Sequence, residues 1–134
     1  FVIRRIIRSM TKIVLVEDDP LLIDIYSTKF REAGFEVSVV DRGDAAVSHI
    51  AKERPDLVVL DIVLPQKDGW DILKILKSNE KTKDIMVVML SNLGQKEEIE
   101  KGMALGAAGY LIKAHHTPSE VVREIRKILA GPQT

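Results

Sequence analysis

Beyond Met10 the chain alternates two hydrophobic rhythms. Short runs rich in β-branched residues, KIVLV (12–16), LVVL (57–60), IMVVML (85–90) and YLI (110–112), alternate with longer stretches whose apolar positions recur at helical spacing. The unbroken apolar character of the central runs predicts strands covered on both faces, as in a parallel sheet between two helical layers. FEVSVV (35–40) alternates apolar and polar residues and reads as an edge strand.

Punctuation supports the helices. Pro20 stands where a first turn begins, Leu22, Ile25, Phe30 and Ala33 form the predicted inward stripe, and Gly34 is placed to end the helix. A second helix is predicted around Asp44 to Glu53, stopping before Pro55, and a third from Trp70 to Ser78 with Leu73 and Leu76 inward. A weaker one spans Lys96 to Leu105, with Gly102 inside it and few large apolar residues, and is predicted to be loosely held. The last has Thr117 as cap, Pro118 in the first turn, Glu120 three residues past the cap, and Gly131 and Pro132 beyond its end. The resulting βαβαβαβαβα string, wound with right-handed crossovers, predicts an α/β fold: a doubly wound, flavodoxin-like sheet of five parallel strands in the order 2-1-3-4-5.

In such sheets ligands bind outside the carboxyl ends of the strands, near the reversal of strand order. Strand one runs into Glu17 and Asp18, strand three into Asp61, strand four into Ser91 and strand five into Lys113. Three acids, a hydroxyl and an ammonium are therefore predicted to converge. Crowded carboxylates are relieved either by taking up a proton or by binding a hard divalent cation, for which oxygen donors suit Mg²⁺. A cation held this way commonly shares a phosphate, toward which Lys113 brings a point charge and Ser91 a hydrogen-bond donor. A carboxylate can itself attack phosphorus to form an aspartyl phosphate, and phosphoryl transfer asks for little beyond positioning and charge neutralisation.

Composition narrows the picture further. With 134 residues the chain fits one domain with a single continuous core. Lys plus Arg equals Asp plus Glu at 20 each, so no net field draws it to nucleic acid or a membrane surface, and no apolar run is long enough to cross a bilayer. The absence of cysteine excludes disulfides and thiolate chemistry and suits a reducing, cytoplasmic setting. Residues 1–10, FVIRRIIRSM, are expected to be a leader or extension ahead of a start at Met10. At helical spacing Ile3, Ile6 or Ile7, and Met10 would share a face opposite the arginines. The domain proper is expected over 11–134.

VLVEDDP, PDLVVLDIVLPQKDGW, VVMLSN and GAAGYLIKA, taken in order at strand ends, resemble the receiver domain of two-component response regulators over essentially Lys12 to Ala130. The resemblance implies that Asp61 accepts phosphate from a phosphohistidine of a sensor histidine kinase or histidine phosphotransfer protein. It implies that Glu17, Asp18, Asp61 and the main-chain carbonyl of Val63 hold Mg²⁺, and that Ser91 and Lys113 bind the phosphoryl oxygens. Asp19 matches a loop position, not a ligand. Ser91 and Tyr110 would form the switch, altering the surface of helix four, strand five and helix five toward a downstream protein. A phosphorylation-dependent homodimer is a further expectation. Nothing after Leu129 resembles an output segment: if the chain is complete, a stand-alone regulator without direct nucleic-acid or membrane binding is expected, and if it is cut from a longer regulator, the output lies beyond this sequence.

Two positions depart from the family pattern. Ala114 stands where proline, often in a cis peptide, usually follows the lysine, so either Ala114 carries that strain or the loop takes another path. Val63 and Leu93, two residues beyond Asp61 and Ser91, are apolar, which predicts slow self-dephosphorylation. Val63 also argues against a hydrolase of the haloacid dehalogenase type, which needs an acid there. Carboxylates after strand one argue against a flavin carrier, whose phosphate they would repel. A receiver-like module that never takes phosphate is the remaining rival. His115 and His116 are read as loop residues, Trp70 as packing or partly exposed surface, and His49 as a helix residue with no evident partner.

Overall fold

The protein is described by a computed structural model covering residues 10–131. The reading of the N-terminal segment falls outside it except at Met10, a half-exposed residue ahead of the first strand. Five strands, β1 (Lys12–Val16), β2 (Glu36–Val40), β3 (Leu57–Leu60), β4 (Met86–Ser91) and β5 (Gly109–Ile112), alternate with five helices: α1 (Pro20–Glu32), α2 (Gly43–Glu53), α3 (Gly69–Ser78), α4 (Lys96–Ala104) and α5 (Pro118–Ala130). All strand pairs are parallel, in the order β2-β1-β3-β4-β5.

The two-sided burial read from the central strands follows from their pleat, since successive side chains point to opposite layers. Ile13, Leu15, Leu57, Val59, Val88 and Leu90 pack with Tyr26 and Phe30 of α1 and Val121, Val122 and Ile125 of α5. Val14, Val16, Val58, Leu60, Val87 and Met89 pack on the other side with Ala46 and Ile50 of α2 and Ile72, Leu73 and Leu76 of α3. Burying each large aliphatic side chain stabilises the fold by roughly 1.5–3 kcal/mol. Both layers also fix the height of the strand ends, because β1 and β3 pair from Ile13↔Leu57 to Val16↔Leu60 and so release Glu17 and Asp61 side by side.

The inward face of α1 differs from expectation. Ile25 is 37% exposed, whereas Tyr26 is buried. At roughly 100° per residue Tyr26 lies between Leu22 and Phe30 around the helix, and Ile25 falls outside that arc. The stripe is therefore Leu22, Tyr26, Phe30 and Ala33, with the Tyr26 and Phe30 rings stacked at 6.1 Å between centroids. His49 does have a partner: its Nε2 lies 2.6 Å from Ser38 Oγ, tying α2 to the edge strand β2.

Caps match the punctuation. Thr117 Oγ1 accepts from Glu120 N at 3.2 Å while Thr117 N donates to Glu120 Oε1 at 2.8 Å. Asp68, which the sequence reading did not single out, caps α3 by accepting from Asp71 N at 3.0 Å, and Pro132 lies outside the described residues. In α4 the sole buried residue is Gly102, in keeping with its poverty in large apolar side chains.

Candidate functional site

Glu17 leaves β1 with its amide donating to the Val40 carbonyl, which continues the sheet one residue beyond the strand. Its side chain turns inward and is 2% exposed. One oxygen, Oε2, accepts from the amides of Asp18 at 3.1 Å and Asp19 at 3.2 Å, so the acid closes its own loop. Asp18, next in line, is exposed. Asp19 is the N-cap of α1, accepting from Leu21 N at 2.9 Å and Leu22 N at 3.3 Å; its work is to start the helix ahead of Pro20.

Asp61 is placed by the same device, its amide donating to the Val16 carbonyl at 3.1 Å. Its Oδ1 accepts from Ile62 N at 2.7 Å. Behind it, Gly69 N donates to the Ile62 carbonyl at 2.7 Å, and a Cβ built on Gly69 would lie 2.2 Å from the Asp61 carbonyl oxygen. Only glycine lets α3 approach the acid's backbone this closely.

Lys113 opens a 3-10 turn, Lys113–His115, directly after β5. Its Nζ donates to Glu17 Oε1 at 2.6 Å and to Asp61 Oδ2 at 2.9 Å, with side-chain exposures of 10%, 3% and 8% for the three residues. Every peptide bond among the described residues is trans, so the chain at Ala114 takes another path and still delivers the lysine. Burial pushes the Glu17 carboxyl above its ordinary range, the Asp61 charge adds to this, and the bond from Lys113 opposes it. Burial alone would lower the Lys113 ammonium, but its bonds to Glu17 and Asp61 outweigh that and raise it.

One carboxylate oxygen from each of Glu17, Asp18 and Asp61 lies within 4.8 Å of the others. Three hard oxygen donors, two buried and one facing solvent, fit a small divalent cation that keeps part of its water shell. The structure thus brings together Glu17, Asp18, Asp61 and Lys113. Ser91 is 1% exposed at the end of β4, opposite Ile112, with Oγ accepting from Leu93 N at 3.3 Å. Val63 lies in the loop after Asp61 with its side chain 64% exposed. Tyr110 is half-buried and its hydroxyl donates to the Leu93 carbonyl; burial, with the charges of Glu98 and Asp61, raises its phenol to about 12. His115 is exposed and neither it nor His116 joins the acid cluster. Sequence reasoning passed over Gly69, though its place just before a helix and eight residues after an acid was the available signal.

The receiver domain of response regulators is the family that matches, over residues 13–126. The chain is 33% identical over 120 residues to the DNA-binding dual master transcriptional regulator RpaA of Synechocystis, covering 90% of this chain and 49% of that protein. It is 32% identical over 114 residues to the phosphate regulon transcriptional regulatory protein PhoB of Rhizobium meliloti, covering 85% and 50%. The chain spans about half the length of these curated relatives. Among solved structures it resembles the BeF3-activated N-terminal receiver domain of RstA from Klebsiella pneumoniae, with 34% identity, a TM-score of 0.81, and coverage of 89% and 98%. Chemotaxis response regulator CheY4 of Vibrio cholerae gives 25% identity, a TM-score of 0.82, and coverage of 89% and 98%. The chain belongs to the response regulator receiver domain family of two-component signalling. No helix among the described residues is long and apolar enough to cross a membrane.

Proposed function

We propose that the chain is a phosphoacceptor that takes a phosphoryl group onto Asp61 from the phosphohistidine of a sensor kinase or phosphotransfer protein. The observation that carries this reading is Lys113 bridging Glu17 and Asp61 at 2.6 and 2.9 Å beside a third carboxylate. An Asp61 carboxylate oxygen forms the new P–O bond as the P–N bond to the donor imidazole breaks, and the imidazole leaves with the electron pair. Lys113 neutralises charge gathering on the phosphoryl oxygens, and the Ser91 hydroxyl, whose oxygen already accepts from Leu93 N, has its proton available to donate to one of them. Glu17, Asp18, Asp61 and the Val63 carbonyl would hold Mg²⁺, which when bound supplies further neutralisation and orients the phosphoryl oxygens.

The double-negative charge placed on Asp61 then biases Ser91, Leu93 and Tyr110, and with them the face of α4, β5 and α5 that signals to a downstream protein, in a cytoplasmic setting. The transfer is assisted by the domain itself and is followed by slow self-dephosphorylation. Incubation with Mg²⁺ and acetyl phosphate should add one phosphoryl group by intact mass, lost in Asp61→Ala. An unmodified wild type, given a competent donor, would identify a module that works by binding alone.

A further inference from the structure

Tyr110 is held at both ends. Its hydroxyl is bonded to the Leu93 carbonyl, and Leu93 N is bonded to Ser91 Oγ. Its ring is covered by α4 at Gly102, where a Cβ would lie 3.0 Å from Tyr110 Cδ2 and 3.6 Å from Trp70 Cζ3. Two aromatic rings thus meet in the space under a single residue of α4. The preceding residue, Lys101, sends its ammonium over the Trp70 ring, 4.5 Å from the centroid. Trp70 is the second residue of α3, directly after Gly69, whose amide is bonded to the Ile62 carbonyl beside Asp61. The contacts therefore form a loop that leaves the site through Asp61 and returns to it through Ser91.

We propose that Trp70 is a positioning residue and that its contact with Lys101 is a latch, seating α4 on the Tyr110 ring and favouring the resting arrangement. The inference rests on the phosphoacceptor reading and deepens it by naming what the switch must release. Little else holds α4 down, since Gly102 is its only buried residue. A cation over an aromatic face at a solvent-exposed lysine is a weak contact, strong enough to bias a two-state element and weak enough to yield. By linkage, a contact made in one state opposes any ligand that prefers the other by the same factor, here about two- to fivefold.

The test titrates Mg²⁺ with beryllofluoride, a phosphoryl mimic, while following the emission of Trp70, the single tryptophan of the chain. Lys101→Met keeps the apolar stem and removes the charge; it should bind the mimic about two- to fivefold more tightly than wild type. Lys101→Arg keeps a cation over the ring and should restore wild-type affinity. Lys96→Met removes an exposed charge from the same helix, where it pairs with Glu100 at 3.9 Å, and should change nothing. Equal or weaker binding by Lys101→Met overturns the latch, as does an equal gain in Lys96→Met. So does a wild type that is modified by acetyl phosphate while its Trp70 emission stays fixed. A wild type that responds to neither reagent overturns the phosphoacceptor reading and the latch together.

Discussion

Lys113→Met isolates the charge that balances the site. Methionine keeps a stem of similar length and apolar character, so packing changes little while the ammonium disappears. In the wild type that ammonium sits 2.6 Å from Glu17 Oε1 and 2.9 Å from Asp61 Oδ2, both side chains buried. Its loss leaves two carboxylates facing each other without a counter-ion. Removing one partner of a buried ion pair costs about 3–5 kcal/mol. The lower end applies here, because Glu17 Oε2 keeps its two amide donors and Asp61 Oδ1 keeps one. At about 4 °C per kcal/mol for a domain of this size, the midpoint of thermal unfolding should fall by about 12 °C in metal-free buffer near neutral pH. Millimolar Mg²⁺ should then raise the midpoint of the variant by more than that of the wild type, since no ammonium competes for the same oxygens. Lys12→Met is the comparison: its contacts with Glu36 at 3.6 Å and Glu53 at 3.5 Å are half-exposed, and its loss should cost under about 1 kcal/mol. A Lys113→Met melt that matches wild type without metal, or a weaker response to Mg²⁺, would refute the charge argument.

Gly69→Ala should destabilise by about 1–3 kcal/mol and slow labelling by acetyl phosphate with the far-ultraviolet dichroism intact, because its Cβ would meet backbone at Asp61 and Ile62 that cannot yield. Thr82→Val should lower stability in urea by about 1–2 kcal/mol, since the buried Thr82 hydroxyl donates to the Leu76 carbonyl at 2.7 Å near the end of α3. Burial raises both tyrosines, Tyr110 to about 12, so phenolate absorbance should appear in the native protein at higher pH than in the denatured chain. Stability from the neutral phenol is complete below the unfolded value of about 10 and is lost as pH rises toward 12; Tyr110→Phe should flatten that slope. The acyl phosphate should be long-lived, and Val63→Asn with Leu93→Glu should shorten its lifetime by giving attacking water polar partners; an unchanged lifetime would count against those positions.

The strands and their order were legible because full burial on both faces leaves a continuous apolar signature, and because alternating elements with right-handed crossovers admit few windings. The convergence of Glu17, Asp18, Asp61 and Lys113 was legible for a related reason: strand ends are the one place where such a fold exposes side chains to a shared ligand. Ile25 was misread since an amphipathic tyrosine can occupy a core position that a pattern of aliphatic residues assigns elsewhere. His49 found Ser38 across a strand-to-helix contact that no local spacing encodes. Gly102 looked like a flaw in a weak helix, yet its missing side chain makes room for Tyr110, a reason visible only in three dimensions. The path of the chain at Ala114 was open in the sequence, because a lysine on a long stem can reach its partners from more than one backbone course.

Three clustered carboxylates, with one ammonium bonded to two of them, are an arrangement that stability alone does not favour, since replacing a buried ion pair by packed apolar residues is often neutral or stabilising. What Lys113 does in the resting state therefore bears on what it can do in the proposed reaction. Its two short bonds are spent on Glu17 and Asp61, and phosphoryl oxygens on Asp61 would draw it outward. Glu17 Oε1 would then lose its side-chain donor among the described residues while remaining buried, which is costly unless another cation serves it. The donor set of Glu17, Asp18 and Asp61 fits a hard divalent ion in that role. Metal and phosphoryl group are thus coupled through a single lysine: each should bind more tightly when the other is present, and Lys113→Met should weaken that coupling even where it leaves metal affinity high.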